Sequence, residues 1–256
     1  MVAKTDLKAR LFDLVACVME LVRDEKRDAE EVCLVLQAIK DNKRFRQANA
    51  GLPIAVTPTA LKRAKDIMGK NFIGLEEAEK HLGVKFSKKD AEKLAEIPWS
   101  EETLEELKHT HILIPGHSLS ILEIREKVPQ GTFWAYKDAW YNNQPFATKE
   151  KVELRWHLIR KDIQPNSSGK TYQDQLNLLS KQEENPRAVE MVYAMTLFWL
   201  TRKEKLFMDY WARCRDLDSD GCRVLVYFCD GRLDVSGWVD SAYADIGVAA
   251  SRKFQS

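Results

Sequence analysis

Four residue types are missing from one long stretch of this 256-residue chain: residues 213–252 contain no Lys, Glu, Gln or Met, although all four are dense before it. Other absences bound the chain as a whole. No run reaches transmembrane length without charges, and even the apolar stretch 191–200 is too short. The N-terminal apolar stripe is interrupted by Asp13 and Glu20 and has no small-residue cleavage site behind it, so it reads as an amphipathic helix rather than a secretion signal. The five cysteines, Cys17, Cys33, Cys214, Cys222 and Cys229, form an odd set without Cys-x-x-Cys spacing, which predicts neither a disulfide framework nor a zinc knuckle. A reduced, cytoplasmic setting is the default expectation, with display at the cell surface left open. There is no glycine-rich phosphate loop, no Gly-x-Ser-x-Gly elbow and no paired-carboxylate signature.

An excess of positive charge is also lacking, since 40 Lys and Arg face 39 Asp and Glu for a net charge of +1. The basic clusters Lys62-Arg63 with Lys65, Lys88-Lys89, and Arg202-Lys203 with Lys205 alternate with acids at helical spacing. Solvated helix faces are expected from them rather than a nucleic-acid surface. The short helix pair expected over 75–82 and 90–95 has helix-turn-helix spacing, but its acids nearly balance its bases.

What is present begins with helical periodicity. Residues 6–23 and 29–41 carry apolar residues at i, i+3, i+4 spacing, which predicts two amphipathic helices packed as a hairpin. Thr57 with Pro58 predicts a helix start, Gly83 a helix stop after 75–82, and Ser87, Ser100 and either Ser118 or Ser120 further N-caps. From His109 the texture changes. Strands are expected over 109–115, 131–136 and 152–160, with an aromatic-rich loop between the last two, and helices over 171–182 and 186–200, the second capped by Asn185. That second helix is apolar on most sides and should lie buried against a sheet. Strands over 210–215, 223–229 and 247–251 close the chain. The expected fold class is α+β, divided into a helical N-terminal region, 1–108, and an α+β domain, 109–256, with a β-rich C-terminus.

Few constellations carry chemistry. Asp216, Asp218 and Asp220 before Gly221 alternate as in a calcium loop, but the twelfth position is Tyr227 and not a bidentate Glu, so an EF-hand is excluded and a polar turn is expected. His109, His111, His117 and Glu123 lack the spacing of a helical metal motif. Cys214, Cys222 and Cys229 fall in or beside apolar strands, where small core residues are expected rather than reactive thiols. Phe133, Trp134, Tyr136, Trp140, Tyr141, Phe146 and Trp156 read as packing residues that, beside Asn142, Asn143 and Gln144, could also line a pocket. No catalytic residues, cofactor or metal ligands are predicted.

The reduced alphabet of residues 213–252 has a specific property. Its charges are Asp and Arg only, and every type in it except Trp238 is reached from an Asn codon, AAC or AAT, by changing the two adenines. Adenine-directed mutagenesis of a template leaves this residue set, and so does a strand-and-turn segment rich in Gly, Asp, Val and Tyr.

Four segments then carry a resemblance: HILIPGHSLSILEIREKVPQGTFWAYKDAWYNNQPFA, WHLIRKDIQPNSSGKTYQDQ, FWLTRKEKLF and DLDSDGCRVLVYFCDGRLDVSGWVDSAYADIGVAASRKF. Together they resemble a family from small-genome uncultured bacteria whose members are similar to the variable proteins of diversity-generating retroelements. The resemblance spans roughly residues 70–256 and rests on scaffold motifs rather than on an active site. It implies a C-type lectin-type fold of the formylglycine-generating-enzyme-like branch, with the final strand at Ile246-Gly-Val-Ala-Ala-Ser-Arg252 and a fixed scaffold position at Trp238. The chain departs from the better-known variable proteins in its helical N-terminal part and in having no run of template-like Asn residues.

On this resemblance the chain is a non-enzymatic binding protein, whose partner is a protein or small molecule held at the C-terminal surface. Tyr227 and Tyr243 would give rigid contact area there, with Asp230, Arg232, Asp234, Ser236, Val239, Asp240, Ser241 and Asp245 around them, a composition like that of antibody paratopes. Trp238, Gly247, Val248 and the helix around Val192 and Phe198 would lie beneath. Two rivals stand beside this reading. One is an enzyme or calcium-dependent protein on the same fold, using Cys222 or Cys229, or Asp216, Asp218 and Asp220. The other is a regulatory module whose helical N-terminal half docks a partner.

Overall fold

The computed structural model describes residues 58–254 apart from Tyr136, and earlier in the chain only residues 15–16, 18–20, 22–24 and 32–33. The chain divides into two units, Met1–Ala55 and Val56–Ser256. In the first, residues 15–16, 18–20, 22–23 and 32–33 are helical. The rest of the two helices expected over 6–23 and 29–41, the Thr57 cap, Cys17 and Tyr136 lie outside the described residues.

The second unit is α+β. In chain order it holds β1 (Thr59–Ala60), α1 (Leu61–Met68), α2 (Leu75–Leu82), α3 (Lys88–Lys93), β2 (Glu96–Ile97), α4 (Glu101–Leu107), β3 (His111–Pro115), α5 (Ile121–Lys127), α6 (Pro145–Thr148), β4 (Trp156–Arg160) and α7 (Tyr172–Leu176). There follow β5 (Glu183–Glu184), α8 (Ala188–Arg202), β6 (Trp211–Leu217), β7 (Arg223–Cys229), β8 (Arg232–Trp238), β9 (Ile246–Val248) and β10 (Ser251–Arg252). The unit begins at residue 56 and not at the change of texture near residue 109. Ile73, Ala78 and Leu82 sit in the same core as Ile112, Ile159 and the residues of α8, so the helices after residue 58 are built into the sheets that follow.

Local signals place the helices. Ser87 Oγ accepts from Asp90 N at 3.2 Å while the Asp90 carboxylate accepts from Ser87 N at 3.0 Å, and Ser120 with Glu123 repeats this reciprocal cap on α5. Ser100 caps α4, and α2 ends at Gly83, whose φ of 60° suits a residue without Cβ.

Elsewhere tertiary pairing overrides the local pattern. Thr59–Ala60 pairs with Glu96–Ile97, so the helix expected from Pro58 starts only at Leu61. Residues 131–135 of the expected strand form none; Phe133 makes a single bridge to Leu233. Asn185 does not cap α8, because its buried side chain donates instead to the carbonyls of Arg213 and Ala249, both at 2.9 Å. The cap is completed by Glu190, which accepts from Arg187 N at 2.8 Å, and by Asp216, which accepts from Ala188 N at 2.5 Å.

Two four-stranded sheets flank the core, in the orders β3-β4-β10-β5 and β8-β7-β6-β9. The first is antiparallel throughout. In the second, β6 to β8 are antiparallel and β9 joins β6 in parallel. Every residue of α8 from Ala188 to Phe198 is buried. Its core partners on the second sheet are Ala212, Cys214, Val224, Val226, Leu233 and Val235, which alternate along β6, β7 and β8 and so share one face. A smaller cluster packs α1 against Trp99, Leu113, Trp156 and Leu158. The outer edge of β8 is occupied: Trp134 N donates to Leu233 O at 2.9 Å, Leu233 N to Thr132 O at 2.8 Å, and Trp140 Nε1 to Val235 O at 2.7 Å.

Candidate functional site

The second sheet has one face on α8, and the intervening residues of its strands form the opposite face, on which Leu225 and Arg213 are fully buried and the others half-buried or exposed. Across β7 and β8 the outward pairs are Arg223 with Trp238, Leu225 with Ser236, Tyr227 with Asp234, and Cys229 with Arg232. The hairpin is set by Asp230 and Gly231, whose φ angles of 46° and 85° are those of a two-residue turn that matches strand twist. On β6, Trp211 and Arg213 continue the same face.

Aromatic rings tie this face together. Trp211 and Tyr227 stack with centroids 3.9 Å apart and planes 7° from parallel. Trp238 meets Trp211 edge to face at 6.0 Å, and Tyr243 meets Trp238 likewise at 5.6 Å. Tyr227 Oη donates to Asp234 Oδ2 at 2.9 Å; burial and this carboxylate push the phenol well above its ordinary pKa, so it stays a neutral donor.

Beyond Trp238 the chain leaves the sheet, and residues 238–245 are all exposed before β9 returns to the interior. Trp238 is 39%, Val239 50% and Tyr243 36% exposed. This loop is held by its backbone. Ser241 O accepts from Arg213 Nη2 at 3.0 Å, Tyr243 O from Gly169 N at 2.9 Å, Ala244 O from the Ser168 hydroxyl, and Asp245 O from Trp211 N at 2.9 Å. Arg213 is itself fully buried and braced by Gln175 Oε1 at 3.1 Å. The Gln175 amide donates onward to Ser167 O at 2.9 Å and Ile246 O at 3.0 Å. The loop's shape is therefore set by groups that every residue type shares, and its side chains are free of that duty.

Of the residues expected at this surface, Tyr227, Asp234 and Ser236 lie on the outward sheet face, and Val239, Asp240, Ser241, Tyr243 and Asp245 on the adjoining loop. Asp230 and Arg232 sit apart at the hairpin tip, where the Arg232 guanidinium covers Trp134 at 5.6 Å. Gly247, Val248, Val192 and Phe198 are buried as expected of a scaffold. Trp238 is a correction: its side chain lies in the exposed aromatic row, because its strand position pairs it with outward-facing Arg223. Trp211, Arg213, Arg223 and Tyr172 belong to the site and were not singled out. Period-two alternation along β6 and β7 carries the first three; nothing local marks Tyr172, which comes from α7.

The carboxylates of the candidate calcium loop do not converge. Asp216 caps α8, and Asp218 Oδ1 accepts from Asp220 N at 2.9 Å and Cys222 N at 2.8 Å, a side-chain-closed turn. The described residues contain no group of three His, Cys, Asp or Glu side chains placed to hold a metal. Burial raises the thiol pKa of both Cys214 and Cys222, the opposite of nucleophile activation.

A second titratable cluster lies at the start of α8. Glu190, 3% exposed, has Arg155, His157 and Arg187 around it at 3.4, 3.7 and 3.6 Å. Burial lowers the His157 pKa, so the ring is neutral beside an ionised Glu190. This cluster joins the start of β4 to the start of α8.

No helix among the described residues is long and apolar enough to cross a membrane. Comparison of the chain with family models, with curated proteins and with solved structures finds no match.

Proposed function

We propose that this chain is a non-enzymatic binding protein that presents the outward face of β6 to β8 and the loop 238–245 to a partner, on a C-type lectin-type scaffold. We further propose that the segment is diversified by a retroelement through adenine-directed mutagenesis. The observation that carries this reading is the backbone tether. A surface that must change its side chains without changing its shape has to be held by main-chain groups, and Ser241, Tyr243, Ala244 and Asp245 are held by their carbonyls.

The chemistry of the face supports a binding role. Exposed Trp and Tyr rings offer large contact area at low conformational cost, and the surrounding Asp, Ser and Arg supply adaptable hydrogen bonds. Residues 213–252 are free of Lys, Glu, Gln and Met, and they take in most of β6, all of β7 and β8 and the loop of the face, together with buried β9 and the short β10.

Sequencing the locus tests the proposal. A nearby reverse transcriptase gene and a near-copy of the 3′ coding end are expected, with differences confined to template adenines and falling on residues of the loop and outward face. Differences scattered without regard to template adenines, or sibling chains identical over residues 213–252, would sink it.

A further inference from the structure

Arg213 and Arg223 stand on the same face of the second sheet, Arg213 opposite Leu225 and Arg223 two residues before it on β7. Arg223 is clamped: its guanidinium sits 4.0 Å above the centre of the Tyr172 ring, and Nη1 donates to Arg215 O at 2.6 Å. Its Nε faces Asp240 Oδ1 at 3.6 Å, close enough to feel the charge but too far for a hydrogen bond. Arg213 is fully buried, yet its hydrogen-bonded partners, Gln175 Oε1 and Ser241 O, are neutral. Neither Arg213 Nε nor Arg223 Nε has a hydrogen-bond partner. Burial draws the Arg213 guanidinium below its ordinary pKa, and the Asp240 carboxylate is the largest influence in the other direction.

We infer that Arg213 and Arg223 form a carboxylate-recognition site, which Asp240 fills loosely in the free protein and a carboxylate of the ligand takes over on binding. The inference rests on the binding reading above and names the chemistry that surface takes. Two guanidinium groups, each with an unused Nε donor and one of them buried, share a single nearby carboxylate, which comes no closer than 3.6 Å to Arg223 Nε. A ligand carboxylate that reaches hydrogen-bonding distance gains charge-assisted, geometrically defined bonds that Asp240 does not make. Displacing Asp240 costs little, because it stands on the exposed loop with its side chain 48% accessible and pairs in solvent. Arginine rather than lysine is the residue suited to this role, since its planar fork matches a carboxylate.

The test uses the full chain, a glutamate-rich hexapeptide, and sodium acetate set against sodium chloride at equal ionic strength. Asp240→Asn removes the internal competitor, and the peptide is expected to bind this variant about tenfold more tightly than the parent chain by calorimetry. Adding Arg223→Met to Asp240→Asn is expected to abolish the gain. Adding Arg223→Lys, which keeps the charge and guards against a folding artefact, is expected to leave most of it lost. Competition of the peptide by acetate identifies a free carboxylate as sufficient, and peptide binding untouched by acetate assigns the site to an acidic protein segment; both support the inference. It is overturned if Asp240→Asn binds no more tightly, if the gain survives Arg223→Met or is fully kept by Arg223→Lys, or if inorganic phosphate binds where carboxylates do not. Sibling sequences without adenine-directed differences would remove the diversification proposal and leave these titrations unmoved.

Discussion

The Arg213 guanidinium, which has no exposed surface, donates to the carbonyl oxygen of exposed Ser241 at 3.0 Å. A side chain in the interior thus fixes a surface loop whose own side chains take no part in the bond. The dependence runs one way: the loop's position requires residue 213 but not the identity of residue 241.

Arg213→Met keeps comparable bulk but removes both donors, leaving Gln175 Oε1 buried without its partner and Ser241 O without its anchor. The expected cost is about 2 to 3 kcal/mol in urea unfolding. Amide hydrogen exchange over residues 239–245 should accelerate well beyond what the global loss explains. Unchanged protection there would show that the remaining carbonyl tethers suffice.

Single changes in the loop should be almost silent in stability. Val239→Ser and Ser241→Ala are expected to stay within about 0.5 kcal/mol of the parent chain. Tyr243→Ser, which also loses the edge-to-face contact with Trp238, should cost no more than about 1.5 kcal/mol. A larger loss at Val239 in a thermal melt would mean that its side chain is sealed inside.

Beneath the loop the opposite holds. A Cβ on Gly247 would fall 2.4 Å from Ile163 Cδ1 and 2.6 Å from its Cβ, so Gly247→Ala forces β9 and Ile163 apart. A loss of about 1 to 3 kcal/mol is expected. The companion change Ile163→Ala removes the contacts with Cδ1 and Cγ2 but keeps the Cβ at 2.6 Å, so tested together with Gly247→Ala it should relieve only part of the clash and cost somewhat less than the sum of the two alone.

Acid should destabilise the protein through buried histidines. His111, 1% exposed, has its pKa lowered from 6.5 to about 3, first by burial and then by Arg160, Arg252 and Lys161. The unfolded chain takes up this proton near pH 6.5 while the folded chain refuses it until about pH 3. Stability is therefore full above the unfolded pKa and falls with pH through that window, by up to about 1.4 kcal/mol per pH unit for the one proton. His157, also lowered by burial, acts in the same direction. In denaturation series from pH 7 to 4, His111→Phe should show a shallower slope than the parent chain; equal slopes would remove His111 from the account.

Much of this architecture was legible in the residues, and the reasons differ by element. Helix 75–82 and strand 223–229 are met to the residue, because a glycine stop and a short unbroken apolar run are local signals. The α+β class and the burial of α8 follow from its lack of a polar side. The boundary near residue 109 was read from texture, whereas the molecule joins those helices to the later sheets through long-range packing that no window of sequence contains. In the site, the exposed loop and its polar residues were legible, but β8 was not: its seven residues include Asp234, Ser236 and Gly237, and only pairing with β7 makes a strand of them. The Arg213, Gln175 and Ser241 bonds were invisible for the same reason, since they join residues 28 and 38 positions apart.

The occupied rim of β8 has a consequence for how such a molecule behaves at high concentration. A chain that gathers four aromatic rings on one sheet face and its adjoining loop would be prone to stacking copies edge on edge if its last strand offered free amides and carbonyls. Thr132, Trp134 and the Trp140 indole already use those groups at Leu233 and Val235. Self-association by strand addition along β8 is thereby blocked through main-chain and scaffold contacts, whatever residues the loop beyond it carries.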